Sequence, residues 1–296
     1  MPLPARYRGR FAPSPTGPLH MGSLVAALGS WLIARHNNGD WLLRIEDIDP
    51  PREVPGAAAD QINTLAAFGL HPDEPVLWQS ARGDAYAEAL ERLLRDGLAF
   101  PCICSRSELA TTDGIHRECI ASDAMRERTD RQPAIRLRVH AGRIAFDDAI
   151  QGRYEQLAER DIGDVVLRRA DGLWAYQLAV VVDDAAQRIT EVVRGADLLD
   201  STPRQILLQK ALGLSTPAYL HLPLVLDAKG RKQGKSDDAL AVDAANPAAT
   251  LGRAFGLLGQ DPRAIAGAAN AEAALRQALA HFDPGTIPVR MEERVL

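Results

Sequence analysis

An α/β fold built on a parallel sheet is what this sequence predicts, and three features carry that prediction. The chain opens as strand, loop, helix, strand: Arg8–Phe11, a Pro/Gly loop, an apolar-patterned helix over Met21–Arg35, and the buried-looking strand Asp40–Ile45. A β-α-β unit of this kind implies parallel pairing through a right-handed crossover. Alternation of strands and helices resumes from Val165 after an interval of different character. Charged residues also fall at the ends of the expected parallel strands, where open α/β sheets bind ligands.

The elements follow in order. The loop Ala12-Pro13-Ser14-Pro15-Thr16-Gly17-Pro18 cannot be helical, because its prolines lack the N–H and restrict the residues before them. Asp40–Ile45 ends at the acidic turn Glu46-Asp47-Ile48-Asp49, ahead of two prolines. Amphipathic helices are expected near Ala57–Phe68 and Gly83–Asp96. From about residue 100 to 160, cysteines, polar residues and short alternating stretches such as Ala134–Val139 suggest an inserted subdomain. The parallel pattern then continues with strands at Val165–Arg169, Trp174–Val182 and Ile189–Val193, a helix around Pro203–Leu212, and a strand at Leu222–Leu226 that leads into the Lys/Gly-rich loop Lys229–Ser236. Four segments result: 1–99 and 161–236 as halves of one catalytic domain, 100–160 as the insert, and 237–296 as an Ala-rich helical tail too short for another sizeable domain.

Composition narrows the functional classes. The hydrophobic content of 46% and charged content of 25% are those of an ordinary globular protein. No segment approaches the length of a membrane span, and MPLPARYRGRF has no signal-peptide core, so the cytoplasm is the expected location. A net charge of −5 exerts no general pull on nucleic acid, so any RNA contact must come from a local basic patch. Three cysteines do not make a disulfide framework.

The first chemical signal is the string Arg10-Phe11-Ala12-Pro13-Ser14-Pro15-Thr16-Gly17-Pro18-Leu19-His20-Met21-Gly22-Ser23. It sets a His and a Gly at the mouth of a helix that follows a strand, where unpaired N–H groups and the helix dipole favour phosphate. Gly22 allows close approach of a nucleotide, and His20 can donate to a phosphate whose charge grows in the transition state. A lone His-x-Gly is more often a capped surface loop. The whole string, however, resembles the glutamyl branch of class I aminoacyl-tRNA synthetases, in which Arg-Phe-Ala-Pro-Ser-Pro-Thr-Gly leads into the HIGH signature. Ser23 departs from that signature's second His.

This resemblance implies the Rossmann-type catalytic domain of class I synthetases, with ATP, Mg²⁺ bound with the ATP, and L-glutamate as ligands. It makes Lys232-Gln233-Gly234-Lys235-Ser236 a KMSKS-like loop, in which Lys235, supported by Lys232, grips the triphosphate. Gly234 and Gln233 depart from the usual Ser and aliphatic residue. Glutamate has two carboxylates and one ammonium, so its site needs two cationic anchors and an anion. By resemblance Arg10 and Arg194 match the carboxylate-binding arginines, Glu46 the carboxylate that takes the ammonium, and Tyr176 and Ser14 further lining of the pocket.

Cys102, Cys104 and Cys119 with His116 make C-x-C…H-x-x-C, which fits a tetrahedral zinc set of three thiolates and one imidazole, and equally fits buried thiols. Short glutamyl-type enzymes carry a C-x-C…Y-x-x-x-C zinc site here. Ile115 takes the tyrosine's place, which leaves His116 as fourth ligand of a structural Zn²⁺.

The resemblance runs from Arg8 to about residue 245 and is nearest to a core-only paralogue that lacks an anticodon-binding domain. It implies a monomeric enzyme that forms glutamyl-adenylate without tRNA and transfers glutamate to queuosine at the wobble position of tRNA(Asp). The alternatives are a truncated glutamyl-tRNA synthetase, a small-molecule nucleotidyltransferase, and a non-catalytic RNA-binding module.

Overall fold

A computed structural model describes residues 6–105, 107–120, 132–225 and 242–289. The opening is as expected. β1 (Arg8–Phe11) leads through the proline loop to α1 (Met21–His36), and β2 (Asp40–Ile45) returns parallel to β1 with Arg10 opposite Leu42. Helix α1 is buried along most of its length, so its apolar residues wrap round it instead of forming one stripe. Gly29 explains how closely it lies on the sheet: a Cβ there would stand 2.7 Å from a Leu222 methyl.

α2 (Ala57–Ala67), β3 (Leu77–Trp78) and α3 (Gly83–Arg95) follow, with β3 parallel to β2. β4 (Ala99–Cys102), β5 (Ala134–Leu137), β6 (Arg143–Asp148), β7 (Gly152–Leu157) and β8 (Val165–Arg168) come next. Then come α4 (Tyr176–Ala186), β9 (Glu191–Gly195), α5 (Thr202–Ala211) and β10 (Ala218–Leu222). α6 (Pro247–Leu257) and α7 (Ala271–Ala280) form the helical tail.

Two strand groups make up the main layer. One runs β1-β2-β3, and the other runs β7-β6-β10-β9, with β9 and β6 both parallel to β10 and β7 antiparallel at the edge. Thr190 joins the groups: its N–H donates to the Arg8 carbonyl at 3.0 Å, and its hydroxyl accepts from the Arg8 N–H at 2.8 Å. The C-terminal ends of β1, β2 and β9 therefore open on one side. α1, α6 and α7 pack with one face of this layer in one apolar core, and α3, α4 and α5 gather a second core.

Three expectations need correction. The strand expected at Leu222–Leu226 lies earlier, because β10 spans Ala218–Leu222 and residues 223–225 are outside any strand. Val165–Arg168 is a strand, but it runs antiparallel to β5 in a separate sheet of order β4-β5-β8. Trp174–Val182 is not a strand: the chain turns helical at Tyr176. A short apolar run looks the same in a buried strand and a buried helix. The chain is helical through Ala186, and Asp183 and Asp184 near that end are both buried, Asp183 accepting from Gln79, Arg82 and Tyr86 and Asp184 from Arg10 and Arg44.

Candidate active site

The loop between β1 and α1, the end of β2, the start of α4 and the end of β9 enclose a cleft of about 690 Å³. Arg10, Ser14, His20, Gly22, Glu46, Tyr176 and Arg194 all line it. Lys232 and Lys235 lie outside the described residues.

At the α1 end of the cleft, His20 is the N-cap of the helix, and its Nδ1 accepts the Ser23 N–H at 3.2 Å. This bond commits Nδ1 as acceptor, so a neutral ring carries its proton on Nε2. The first turn of α1 carries no acidic residue of its own at the positive end of the helix dipole. Gln61 holds the loop in place, donating to the carbonyls of Ser14 at 3.1 Å and Gly17 at 2.7 Å.

Arg10 and Glu46 belong to a buried ionic cluster. Asp184 accepts from Arg10 Nε at 3.0 Å and Nη2 at 3.3 Å, and from Arg44 Nη1 at 2.7 Å. Arg44, fully buried, also reaches Glu46 at 3.4 Å and Gln187 at 2.8 Å. Burial pushes the Asp184 carboxyl up, but the two guanidinium groups outweigh it and hold it below the usual carboxylate range. For Glu46 burial wins over Arg44 and Arg10, and its carboxyl rises. Asp184 thus fixes the two arginines, while Glu46 is the anion with more to gain from a further cation.

Arg194 crowns β9. Its Nη2 donates to Thr202 Oγ1 at 2.8 Å and to the Leu198 carbonyl at 3.4 Å, its Nε to His221 Nε2 at 3.1 Å, and its Nη1 to the Tyr176 hydroxyl at 3.4 Å. Burial raises the Tyr176 phenol despite the Arg194 charge, so it stays a neutral donor. Tyr176 enters from the first turn of a helix and not from a strand end, and it still meets the strand-borne arginines.

Arg44, Asp184, Asp148, Thr202 and His221 were not singled out from the sequence. Their trace was the charge in apolar strings, as in Leu42-Leu43-Arg44-Ile45 and Val180-Val181-Val182-Asp183-Asp184. A buried charge must be paired, so such residues announce a partner without naming it.

A second cleft of about 740 Å³ shares Ser14, Glu46, Arg52 and Tyr176 with the first and extends under the insert. Cys102 and Cys104 line it, and the donor atoms of Cys102, Cys104, His116 and Cys119 all lie within 4.8 Å of one another. Cys104 Sγ and Cys119 Sγ are 3.7 Å apart, and Cys102 Sγ and His116 Nε2 3.2 Å. A tetrahedral zinc with ordinary bond lengths sets thiolates about 3.8 Å apart, so the set fits a metal. His116 Nδ1 meets Asp164 Oδ2 at 2.8 Å, which points Nε2 at the cysteines. Burial and the neighbouring thiols push the Cys104 thiol up to about 11 without a cation.

Residues 6–250 match the family model described as tRNA synthetases class I (E and Q), catalytic domain. The chain is 60% identical over 283 residues to a glutamyl-Q tRNA(Asp) synthetase of Xanthomonas campestris, covering 95% of this chain and 93% of that one. A relative of the same name from Cupriavidus metallidurans is 54% identical over 282 residues, covering 90% of each chain. Among solved structures, a glutamate tRNA ligase from Elizabethkingia meningosepticum, determined in complex with its amino acid, superposes with a TM-score of 0.78 at 26% identity, covering 97% of this chain and 67% of that one. No described helix is long and apolar enough to cross a membrane. With its sheet, its cleft and its sequence thus aligned, the chain belongs to the class I (E and Q) tRNA synthetase family of ATP-dependent ligases.

Proposed function

We propose that this chain activates L-glutamate with ATP, without tRNA, and transfers the glutamate to queuosine at the wobble position of tRNA(Asp). The observation that carries the first step is the meeting of Arg10, Glu46, Tyr176 and Arg194 in one cleft with His20 and Gly22 at the α1 N-terminus. Arg10 and Arg194 anchor the glutamate carboxylates, Glu46 takes the ammonium, and Tyr176 and Ser14 fix the remaining contacts. ATP lies with its phosphates at the start of α1, where Gly22 gives room. A glutamate carboxylate oxygen attacks the α-phosphorus in line and pyrophosphate leaves, while His20 Nε2–H, Lys232 and Lys235 stabilise the charge that builds on the phosphates. Mg²⁺ arrives with the nucleotide and neutralises phosphate charge.

In the second step a ring hydroxyl of queuosine attacks the mixed anhydride and AMP departs. The adenylate is already activated, so orientation supplies most of what this step requires. What favours queuosine over a tRNA 3′ end is the name borne by relatives that are 54–60% identical over most of the chain. We further propose that Cys102, Cys104, His116 and Cys119 hold a structural Zn²⁺. Four protein donors leave no position open for substrate, and the metal's chemistry there is to cross-link the insert. The enzyme is proposed to work as a monomer in the cytoplasm.

The test is incorporation of labelled glutamate, with ATP, into tRNA(Asp) with queuosine, tRNA(Asp) without it, and tRNA(Glu). Label only on the first is expected. Label on tRNA(Glu) would make the chain a compact glutamyl-tRNA synthetase, and no label on any would overturn the transferase reading.

A further inference from the structure

We propose that Asp148 and His221 are positioning residues that aim the Arg194 guanidinium into the glutamate site by fixing which nitrogen of the His221 ring carries the proton. The inference rests on the reading of Arg194 as a glutamate anchor.

His221 sits on β10 directly opposite Arg194 on β9, and its side chain is fully buried. Asp148, at the end of β6, is buried beside it. Asp148 Oδ2 lies 2.6 Å from His221 Nδ1, and Oδ1 accepts the backbone N–H groups of Ile150 at 3.0 Å, Gln151 at 2.8 Å and His221 at 3.2 Å. Burial pushes the Asp148 carboxyl up, but the His221 bond and the backbone donors outweigh it and keep it ionised. An ionised carboxylate only accepts, so Nδ1 must bear the proton.

Nε2 is then a lone-pair acceptor, and Arg194 Nε–H points at it from 3.1 Å. The opposite tautomer, or a protonated ring, would set N–H against N–H, and the guanidinium cannot give up its proton. Burial depresses the His221 imidazole and keeps it neutral, consistent with this arrangement. With Nε held by His221 and Nη2 by Thr202 and Leu198, the plane of the guanidinium is fixed on two sides. What remains is the Nη1 edge beside the Tyr176 hydroxyl, which is the edge on the cleft. A planar fork recognises a carboxylate only when it is aimed.

Three changes separate aiming from mere packing. In Asp148→Asn the amide oxygen is retained by the Ile150 and Gln151 N–H groups, so the new NH₂ faces His221 Nδ1. The ring must take the Nε2–H tautomer, which Thr202 Oγ1 at 3.3 Å can accept but the Arg194 Nε–H cannot, so Arg194 loses its acceptor. In His221→Gln the side-chain oxygen replaces the Nε2 acceptor and Arg194 keeps its partner. In His221→Asn the side chain reaches only Asp148 and Arg194 loses its acceptor.

The experiment is calorimetric titration of the full chain with L-glutamate and separately with ATP, alongside thermal melts and with Arg194→Ala as reference. Asp148→Asn is expected to weaken glutamate binding at least tenfold with ATP affinity changed less than twofold. In the His221→Gln background the same change is expected to cost less than twofold, because Gln has no tautomer to switch. His221→Asn is expected to bind glutamate more weakly than His221→Gln. Equal costs of Asp148→Asn in both backgrounds, or His221→Asn binding as well as His221→Gln, would overturn the proposal. Should Asp148→Asn not fold, the comparison of the two His221 variants decides alone. Unchanged glutamate binding in Arg194→Ala would instead remove the anchor itself, and with it both readings.

Discussion

Asp184→Asn tests whether the site rests on a buried ionic keystone. Asp184 Oδ1 accepts from both Arg10 Nε and Arg44 Nη1, and Oδ2 accepts from Arg10 Nη2. An amide in the same place has one oxygen and one NH₂. Whichever way it turns, its N–H groups face at least one guanidinium N–H, and the cluster loses a negative charge while two guanidinium groups stay buried. Removing one partner of a buried pair typically costs about 3–5 kcal/mol. For a chain of this size each kcal/mol moves the melting temperature by roughly 2 °C, so a drop of roughly 6–10 °C is expected. Urea unfolding and thermal melts measure it directly, with Arg263→Ala as comparison, since that arginine is 88% exposed and solvent screens its pair with Asp261. The loss should also depend on pH. The folded Asp184 carboxyl lies below its unfolded value, so its stabilisation is full above the unfolded pKa and disappears as pH falls through the folded one. The gap between wild type and variant should therefore narrow on acidification. A melt within 2 °C of wild type, or a gap that widens as pH falls, would refute the reasoning.

Other outcomes follow from the same geometry. Glu46 has the opposite sign: its folded carboxyl is raised, so as pH falls it takes up a proton above the ordinary carboxylate range and loses its hold on an ammonium. Glutamate affinity, measured by titration against pH, should fall on that acid limb in wild type, and Glu46→Gln should bind weakly and lack the limb. Asp164→Asn, which removes the anionic partner of His116 Nδ1, should lower zinc affinity 10–100-fold in a competition titration with a chelator, with the metal content of the wild type near one per chain. Lys235→Ala should slow adenylate formation at least tenfold in ATP–pyrophosphate exchange, equivalent to about 1.4 kcal/mol of transition-state stabilisation, with glutamate affinity unchanged.

The uneven legibility of this chain has a physical cause. β1, α1 and β2 could be read because proline, glycine and apolar period act locally, and their boundaries fall within a residue of expectation. Trp174–Val182 misled because Val-rich helices and strands share a pattern when both faces are buried, and the chain turns helical at Tyr176. The same division runs through the site. Arg10, Glu46, Tyr176 and Arg194 were legible through the resemblance to the glutamyl synthetases, and their charges suit a ligand with two carboxylates and one ammonium. Arg44, Asp184, Asp148 and His221 were not, because they answer to other side chains, and those demands arise only when strands far apart in sequence become neighbours. Arg10 is 174 residues from Asp184, and Asp148 is 73 from His221. A guanidinium placed in a dry cleft needs its own partners before it can serve a substrate. The residues proposed to touch the ligand are therefore half of the recognition site, and the carboxylates and imidazole behind them are the half that makes the first half possible.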